Sequence, residues 1–443
     1  MVLKSRRAES GSAPSTKRAK VSETAENENE DEISSVNGDS DAGSVEEENS
    51  EDEFFETADE RRIRLSKEYL NQLGVDKAEN EEDANKKLRH DADIKENKHF
   101  YNLSDELKWE DEHTFYRGHL GTPTCAAISS DDKSVFTGGK DCAIIKWDVE
   151  TGVKMIYPGK RKHFDCGGHF ADVLGVAVSE DDRWFVSVGA DKLVRIWDTR
   201  MDPAKANVDK LRGHQKSITG VVIEPGTNKI YTSSLDKSIK VWNMNNRSYE
   251  DSLFGHTDGV TSIALAAPGR LVSGGIDKTV RLWKVREDKH LFFSRHTASV
   301  DCVTAPVTDK FLSGGQDGSI MSWSCASKRP TCTLPKPHGG GDNWLTAMGC
   351  VRNSDVFFSG SSDGVVRIWK TSPGGGKHAV DAEEIGNLEV PGVINELTVS
   401  KSGKLVAMAV GKEHKHGRWH NVKSAKNGLA LLRLDHSAPA SSF

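Results

Sequence analysis

No run of apolar residues approaches the ~20 that a membrane-crossing helix needs, and Met1–Lys20 lacks the apolar stretch of a secretory signal. Cysteine is sparse and odd in number: Cys125, Cys142, Cys166, Cys302, Cys325, Cys332 and Cys350 are scattered, with no CxxC pair. Such usage suits reduced thiols in the cytosol or nucleus rather than a disulfide framework or a zinc ribbon. A soluble intracellular protein without membrane contact is expected. Marks of catalysis are also missing. Gly374-Gly375-Gly376-Lys377 lacks the spacing and the Ser/Thr of a phosphate-binding loop and reads as a flexible linker. No Ser/His/Asp or paired-carboxylate set occurs once only, so neither an enzyme nor a cofactor is expected.

What is present divides the 443 residues unevenly. The formal net charge of −7 hides a split: residues 1–100 hold 16 Lys/Arg against 27 Asp/Glu, and residues 101–443 hold 44 against 40. A mildly basic body therefore follows an acidic leader, and binding of a polyanion by the body stays open. Two basic clusters, Arg6-Arg7 and Lys17-Arg18 with Lys20, flank a nine-residue Ser/Gly/Pro-containing spacer. They resemble a bipartite nuclear localisation signal for an import receptor, a reading preferred over a merely solvated tail. Residues 21–60 carry 17 acidic side chains and few apolar ones, too little to offset the entropy of ordering. Ile63, Leu65, Tyr69, Leu70 and Leu73 then recur at roughly helical spacing. Three regions are expected: a disordered leader over 1–55, a helical extension over 56–100 and a folded body over 101–443.

The body repeats one template. A strand-like run ends in Ser or Thr, Asp follows four residues on, and Trp six residues after that. The instances are Thr137/Asp141/Trp147, Ser187/Asp191/Trp197, Thr232/Asp236/Trp242, Ser273/Asp277/Trp283, Ser313/Asp317/Trp323 and Ser359/Asp363/Trp369. Upstream, His119, His169, His214, His256 and His296 each precede their Asp by 21 or 22 residues; His338 precedes Asp363 by 25 and lacks the leading Gly. Imidazole, carboxylate, hydroxyl and indole N–H at these offsets can form one chain of hydrogen bonds inside a sheet, each polar group supplying the next with a partner. Recurrence in every unit makes these residues structural. It also claims His169, so His163, Cys166 and His169 leave too few ligands for zinc, and no metal is expected. Periods of about 40–50 residues with Gly-His and Trp markers resemble the WD40 repeats of a β-propeller. The expected fold is all-β with seven blades over about 105–436. Val393–Val399, Lys404–Val410 and Gly428–Leu434 would make the last blade, and His113–Arg117 would supply its fourth strand and close the ring.

Propellers act through loops and faces, so cations in loops are the candidate site. Lys160, Arg161 and Lys162 lie between blades one and two, and Lys328 with Arg329 between blades five and six. The blade-seven insertion, Gly411–Lys423, holds Lys412, His414, Lys415, His416, Arg418, Trp419, His420 and Lys423. Cations interleaved with an aromatic ring suit phosphate contacts plus base stacking in RNA recognition; the same residues equally suit a solvated loop whose Trp packs on the blade rim. Lys192, Lys237 and Lys278 follow the repeated Asp, and Arg195, Lys240, Arg281 and Arg367 precede the Trp by two, together expected to make one rim positive.

The layout resembles one family, the U3 small nucleolar RNA-interacting WD-repeat proteins. The resemblance rests on the acidic leader, ETADERRIRLSKEYLNQLG from Glu56, FTGGKDCAIIKWDVETG at Phe136–Gly152, SIKVWN at Ser238–Asn243 and GKEHKHGRW at Gly411–Trp419. Arg295 in place of the fifth Gly and the Gly-rich loop after His338 depart from the pattern locally. Membership would imply a non-catalytic component of the U3 box C/D small nucleolar ribonucleoprotein in the nucleolus. Its implied partners are the B/C motif of U3 small nucleolar RNA, box C/D core proteins including a kink-turn-binding protein, and the small-subunit processome that leads to 18S rRNA. A nuclear protein-interaction scaffold, reading a peptide or ubiquitin-ligase substrate through its central pore without RNA, is the alternative.

Overall fold

The computed structural model describes residues 100–109, 113–160, 167–339, 343–371, 382–418 and 421–436, together with Arg64, which is helical. The basic clusters, the acidic tract, the rest of the expected helical segment before Phe100, and Arg161, Lys162, Trp419 and His420 lie outside the described residues. By packing, the chain divides into Met1–Gln72 and Leu73–Phe443, and every strand among the described residues belongs to the second unit.

Seven antiparallel sheets follow one another in that unit. In the first, Pro123–Ile128, Ser134–Gly139, Ile144–Asp148 and Lys154–Tyr157 pair in chain order from axis to rim. Five more four-stranded blades cover 173–212, 218–254, 260–294, 300–334 and 345–389. The innermost strand of each blade packs on that of the next, and Val393–Val399 packs on Pro123–Ile128, so the ring is closed. The burial pattern explains the order: Leu193–Asp198 is buried throughout, whereas the outer Asn207–Arg212 is largely open and carries Asp209 and Lys210. Strands with apolar residues on both faces must lie inside a blade, and polar ones can form its rim.

In the last blade Gly428–Asp435 pairs on one side with Leu405–Gly411 and on the other with Thr114–Tyr116. The expected closing strand is therefore present, and it is joined by a shorter one, Lys108–Trp109, that nothing in the sequence signalled. Ahead of both, Leu103 and Leu107 are buried among residues of blades six and seven, where the Asp355 carboxylate accepts from the Leu103 amide at 2.7 Å.

Apolar packing is concentrated between blades, with one cluster at each of the seven seams. Phe136, Phe185 and Trp197 meet between blades one and two, and Trp147, Ala407 and Leu431 between seven and one. Burying one large apolar side chain is worth about 1.5–3 kcal/mol and one hydrogen bond a net of about 1. The seams thus hold the ring together, and the polar groups fix register.

A second polar device runs around the axis. In every blade the innermost strand bulges near its start, as between Pro123 and Cys125, Val260 and Ser262, and Ile394 and Glu396. In five of the blades the bulged side chain bonds to the next blade. Thr124 donates to the Val173 carbonyl, Thr219 to Val260 (2.8 Å), Thr261 to Val300 and Thr346 to Ile394. Asn395 makes the link from blade seven to blade one, a 2.9 Å bond to the Pro123 carbonyl.

Candidate nucleic-acid interface

The repeated polar chain forms in six blades. In the third, His214 Nδ1 lies 2.7 Å from Asp236, and Nε2 lies 2.8 Å from the Thr232 hydroxyl, which also accepts from Trp242 Nε1 at 2.9 Å. The sixth closes despite its longer offset: His338 is 2.8 Å from both Asp363 and Ser359. Burial pushes the Asp236 carboxyl up, but hydrogen bonds from His214, the Ser238 hydroxyl and the Gln215 amide outweigh it and hold the group well below its usual range. Asp277 and Asp317 are depressed by the same balance.

Two features of these chains go beyond the expected pattern. In blade two the carboxylate of Asp191, 2.7 Å from His169, is fully enclosed and has a second basic neighbour, Arg195 Nε at 4.0 Å. Sequence spacing gave Asp191 only its histidine. The indoles also do more than donate. Trp283 donates to Ser273 at 2.8 Å, Trp323 to Ser313 at 2.7 Å and Trp369 to Ser359 at 2.9 Å. Each ring is buried in an apolar seam as well: Trp283 between blades three and four, Trp323 between four and five, and Trp369 between five and six. Asp191, Trp283, Trp323 and Trp369 are thus internal supports, closed to any ligand at the surface.

The polar chains mark one end of the ring. Pro123 pairs with Gly139 and Ile144 with Tyr157, so the Gly-His loop, the Asp turn and the end of the outer strand lie together. The residue after each Asp adopts a left-handed backbone: Cys142, Lys192, Lys237, Lys278, Gly318 and Gly364 have φ between 62° and 76°. Lys192, Lys237 and Lys278 lie on this end of the ring and are exposed to solvent. Arg195, Lys240, Arg281 and Arg367 do not join them, contrary to the expectation that the two sets together make one rim positive. Arg195 and Arg281 are buried, Arg281 lies 2.7 Å from His290 Nε2, Lys240 donates to Ser252, and Arg367 pairs with Glu384 at 2.9 Å. Lys240, Arg281 and Arg367 thus find their partners on the outer strand of their own blade, and Arg195 finds its partner in Asp191.

The blade-seven insertion lies at the same end, because Val393 pairs with Gly411 and Val410 with Gly428. Strand and neighbour approach so closely here that a Cβ on Gly411 would stand 2.1 Å from the Thr122 methyl, which requires glycine. Beyond it the loop turns inward over the axis. His414 is 2% exposed and meets the Trp344 ring edge to face at 5.5 Å. Lys415 projects beside Glu396, 3.8 Å away, into a cavity of about 60 Å³ lined also by Thr219, Gly220, Thr261 and Ser262 of blades three and four. Burial pushes the Glu396 carboxyl up, and Lys415 opposes the shift.

This corrects the candidate set. His414 and Lys415 are drawn into the channel mouth. His416 reaches the surface, yet crowding by protein and the charge of Lys415 keep it well below the usual imidazole range, so it adds no charge near neutral pH. Lys412, Arg418 and Lys423 face outward. Lys160, three residues past Tyr157, is exposed at the same end. Lys328 and Arg329 are not in a connection: they belong to the outer strand Ser327–Leu334, where Ser327 pairs with Ser324 at the opposite end, and Lys328 lies over the exposed Phe292 ring at 5.9 Å. Sequence reasoning missed Lys140 and Asn395, which hold the insertion. Lys140 donates to the carbonyls of His414 (2.7 Å) and Gly417 (2.8 Å), and Asn395 to that of Glu413 (3.1 Å) while accepting from the Lys415 amide (2.8 Å). Among the described residues no group of three or more His, Cys, Asp or Glu is placed to hold a metal ion.

A closed ring of seven blades, six of them with this polar chain, defines a WD-repeat propeller. The family model described as "WD domain, G-beta repeat" matches residues 109–148, 160–198, 205–243, 247–284, 288–324 and 329–370. The human "U3 small nucleolar RNA-interacting protein 2" is 32% identical over 86% of this chain and 82% of its own. The Arabidopsis thaliana "U3 snoRNP-associated protein-like EMB2271" is 29% identical over 92% of each. A solved structure titled "Crystal structure of RRP9 WD40 repeats" superimposes with a TM-score of 0.67 at 31% identity, covering 75% of this chain and 99% of that one. Within the WD-repeat class, the chain belongs to the family of U3 small nucleolar RNA-interacting WD-repeat proteins.

Proposed function

We propose that this chain is a non-catalytic RNA-binding component of the U3 small nucleolar ribonucleoprotein, acting in the small-subunit processome of the nucleolus in the processing that yields 18S rRNA. Its ligand is the B/C motif of U3 RNA, met together with box C/D core proteins including a kink-turn-binding protein, and the basic clusters at Arg6 and Lys17 serve an import receptor. One observation carries the reading. The insertion that sets blade seven apart presents Lys412, Arg418 and Lys423 outward on the end of the ring that also carries Lys160, Lys192, Lys237 and Lys278. Clustered cations on a rigid face are the electrostatic footprint of a phosphate backbone. A scaffold reading a peptide through the pore would meet Lys415 in the lining of the axial cavity.

Crosslinking the protein to RNA in intact nuclei and sequencing what is bound tests the proposal. U3 reads concentrated on the B/C motif, and loss of box C/D partners after ribonuclease treatment, are the expected results. Partners that survive ribonuclease, with no U3 enrichment, would overturn it in favour of a protein scaffold.

A further inference from the structure

The insertion has little sheet pairing of its own. Within it only Glu413 and Asn421 form a β-bridge among the described residues. A loop in that state is ordinarily mobile, yet its backbone is gripped by two side chains that come from different blades. Lys140, 5% exposed, sits in the Asp turn of blade one, and Asn395, fully buried, is the bulged residue of blade seven. Between them they satisfy the carbonyls of Glu413, His414 and Gly417 and the amide of Lys415. Lys140 also lies 3.4 Å from the Glu413 carboxylate, which itself stands 3.8 Å from Arg418. The ammonium therefore neutralises an acid beside the outward cations as well as pinning the chain. Burial pushes the Lys140 amine below its ordinary range, and Glu413 pulls it part of the way back.

We propose that Lys140 is the positioning residue of the RNA-binding loop, a latch from the first blade that fixes the last blade's insertion across the axis in its binding shape. This rests on the RNA reading given above. A loop ordered before binding spares the ligand the entropy of ordering it, which raises affinity with no new contact. Because the latch and the loop belong to blades joined only when the ring closes, the binding face exists only in the closed ring. Lys140 is turned to the loop backbone rather than outward, which separates it from the cations that would meet phosphate.

The test uses the full chain, a transcribed U3 B/C-motif RNA and trypsin. Lys140→Met should speed cleavage after Lys412, Lys415, Arg418 and Lys423 at least tenfold. It should also weaken RNA binding roughly ten- to a hundredfold, the scale of removing a buried charge-assisted donor, with the salt dependence of binding unchanged. Lys140→Arg, which keeps two donors, should restore much of both, and Lys140→Gln, with a shorter reach, should fall between. Melting curves restrict the comparison to temperatures at which each variant is folded, and Lys140→Gln stands in if Lys140→Met does not fold. Wild-type cleavage rates in folded Lys140→Met and Lys140→Gln would overturn the latch. Faster cleavage with RNA binding unaltered, both there and in Lys412→Ala/Arg418→Ala, would uphold the latch and sink the RNA reading instead.

Discussion

The Asn395 side-chain amide donates to the Pro123 carbonyl at 2.9 Å, and this bond joins the seventh blade to the first at the point where the chain has travelled right round the ring. Threonines occupy the matching place in four other blades. Asn395 alone among them also faces the insertion, so ring closure and loop geometry share one residue.

Replacing Asn395 with Ala would leave the Pro123 and Glu413 carbonyls and the Lys415 amide short of a partner near the axis. Each such deficit costs about 1–3 kcal/mol. Equilibrium urea unfolding should show a drop of roughly 2–4 kcal/mol with an unchanged slope.

Asp301 occupies the belt position of blade five, where a carboxylate replaces threonine. It is 1% exposed, Ser299 donates to one oxygen at 3.1 Å, and the other oxygen has no hydrogen-bond partner among the described residues. Burial pushes its carboxyl up, against the pull of Lys415. A raised value means the ionised form is penalised in the folded state, so the stability tied to this group is present at low pH and lost as pH rises. Asp301→Thr should therefore raise the melting temperature at pH 7, by the few degrees that ~1 kcal/mol represents, and the gain should shrink as pH falls toward about 4.

The acids of the repeated chains behave oppositely. Asp236, Asp277 and Asp317 are held well below the unfolded value of about 3.9. Their stabilisation is complete above that value and is lost as pH falls through it toward the depressed folded values. Acid unfolding followed by tryptophan fluorescence should begin near pH ~4, and Asp236→Asn should flatten its onset. At neutral pH the same variant should be less stable by roughly 1–3 kcal/mol, and Trp242→Ala by at least as much.

Salt dependence distinguishes the outward cations from the inward ones. Removing one phosphate contact should lower the slope of log affinity for U3 RNA against log salt by about one, or somewhat less. Alanine at Lys412, Arg418 or Lys423 should do so, and alanine at Lys328 or Arg329, at the far end of blade five, should leave the slope unchanged in a filter-binding titration.

Most of the fold was legible because its polar chains obey short, fixed offsets. Thr232, Asp236 and Trp242 lie within one hairpin, so spacing alone brings them together. The belt threonines were legible in principle: Thr124 and Thr219 stand thirteen residues before Thr137 and Thr232. Which seam an indole such as Trp323 fills was not, since that depends on the neighbouring blade. The grip of Lys140 on His414 was hidden too, because 274 residues separate them and only ring closure makes them neighbours. Nor does composition reveal which cations a loop turns inward. Lys412 and Lys415 read alike in sequence, and one faces solvent while the other fills the axis beside Glu396.

The pairing of Thr114–Tyr116 with Gly428–Asp435 has a consequence for synthesis. As the polypeptide leaves the ribosome, these first strands stay without a mate until Gly428 and the residues after it have been translated. During that interval the nascent product carries an unsated sheet margin at each end of a growing arc, the kind of margin that recruits neighbours into aggregates. Premature termination ahead of Gly428 would make that transient hazard permanent.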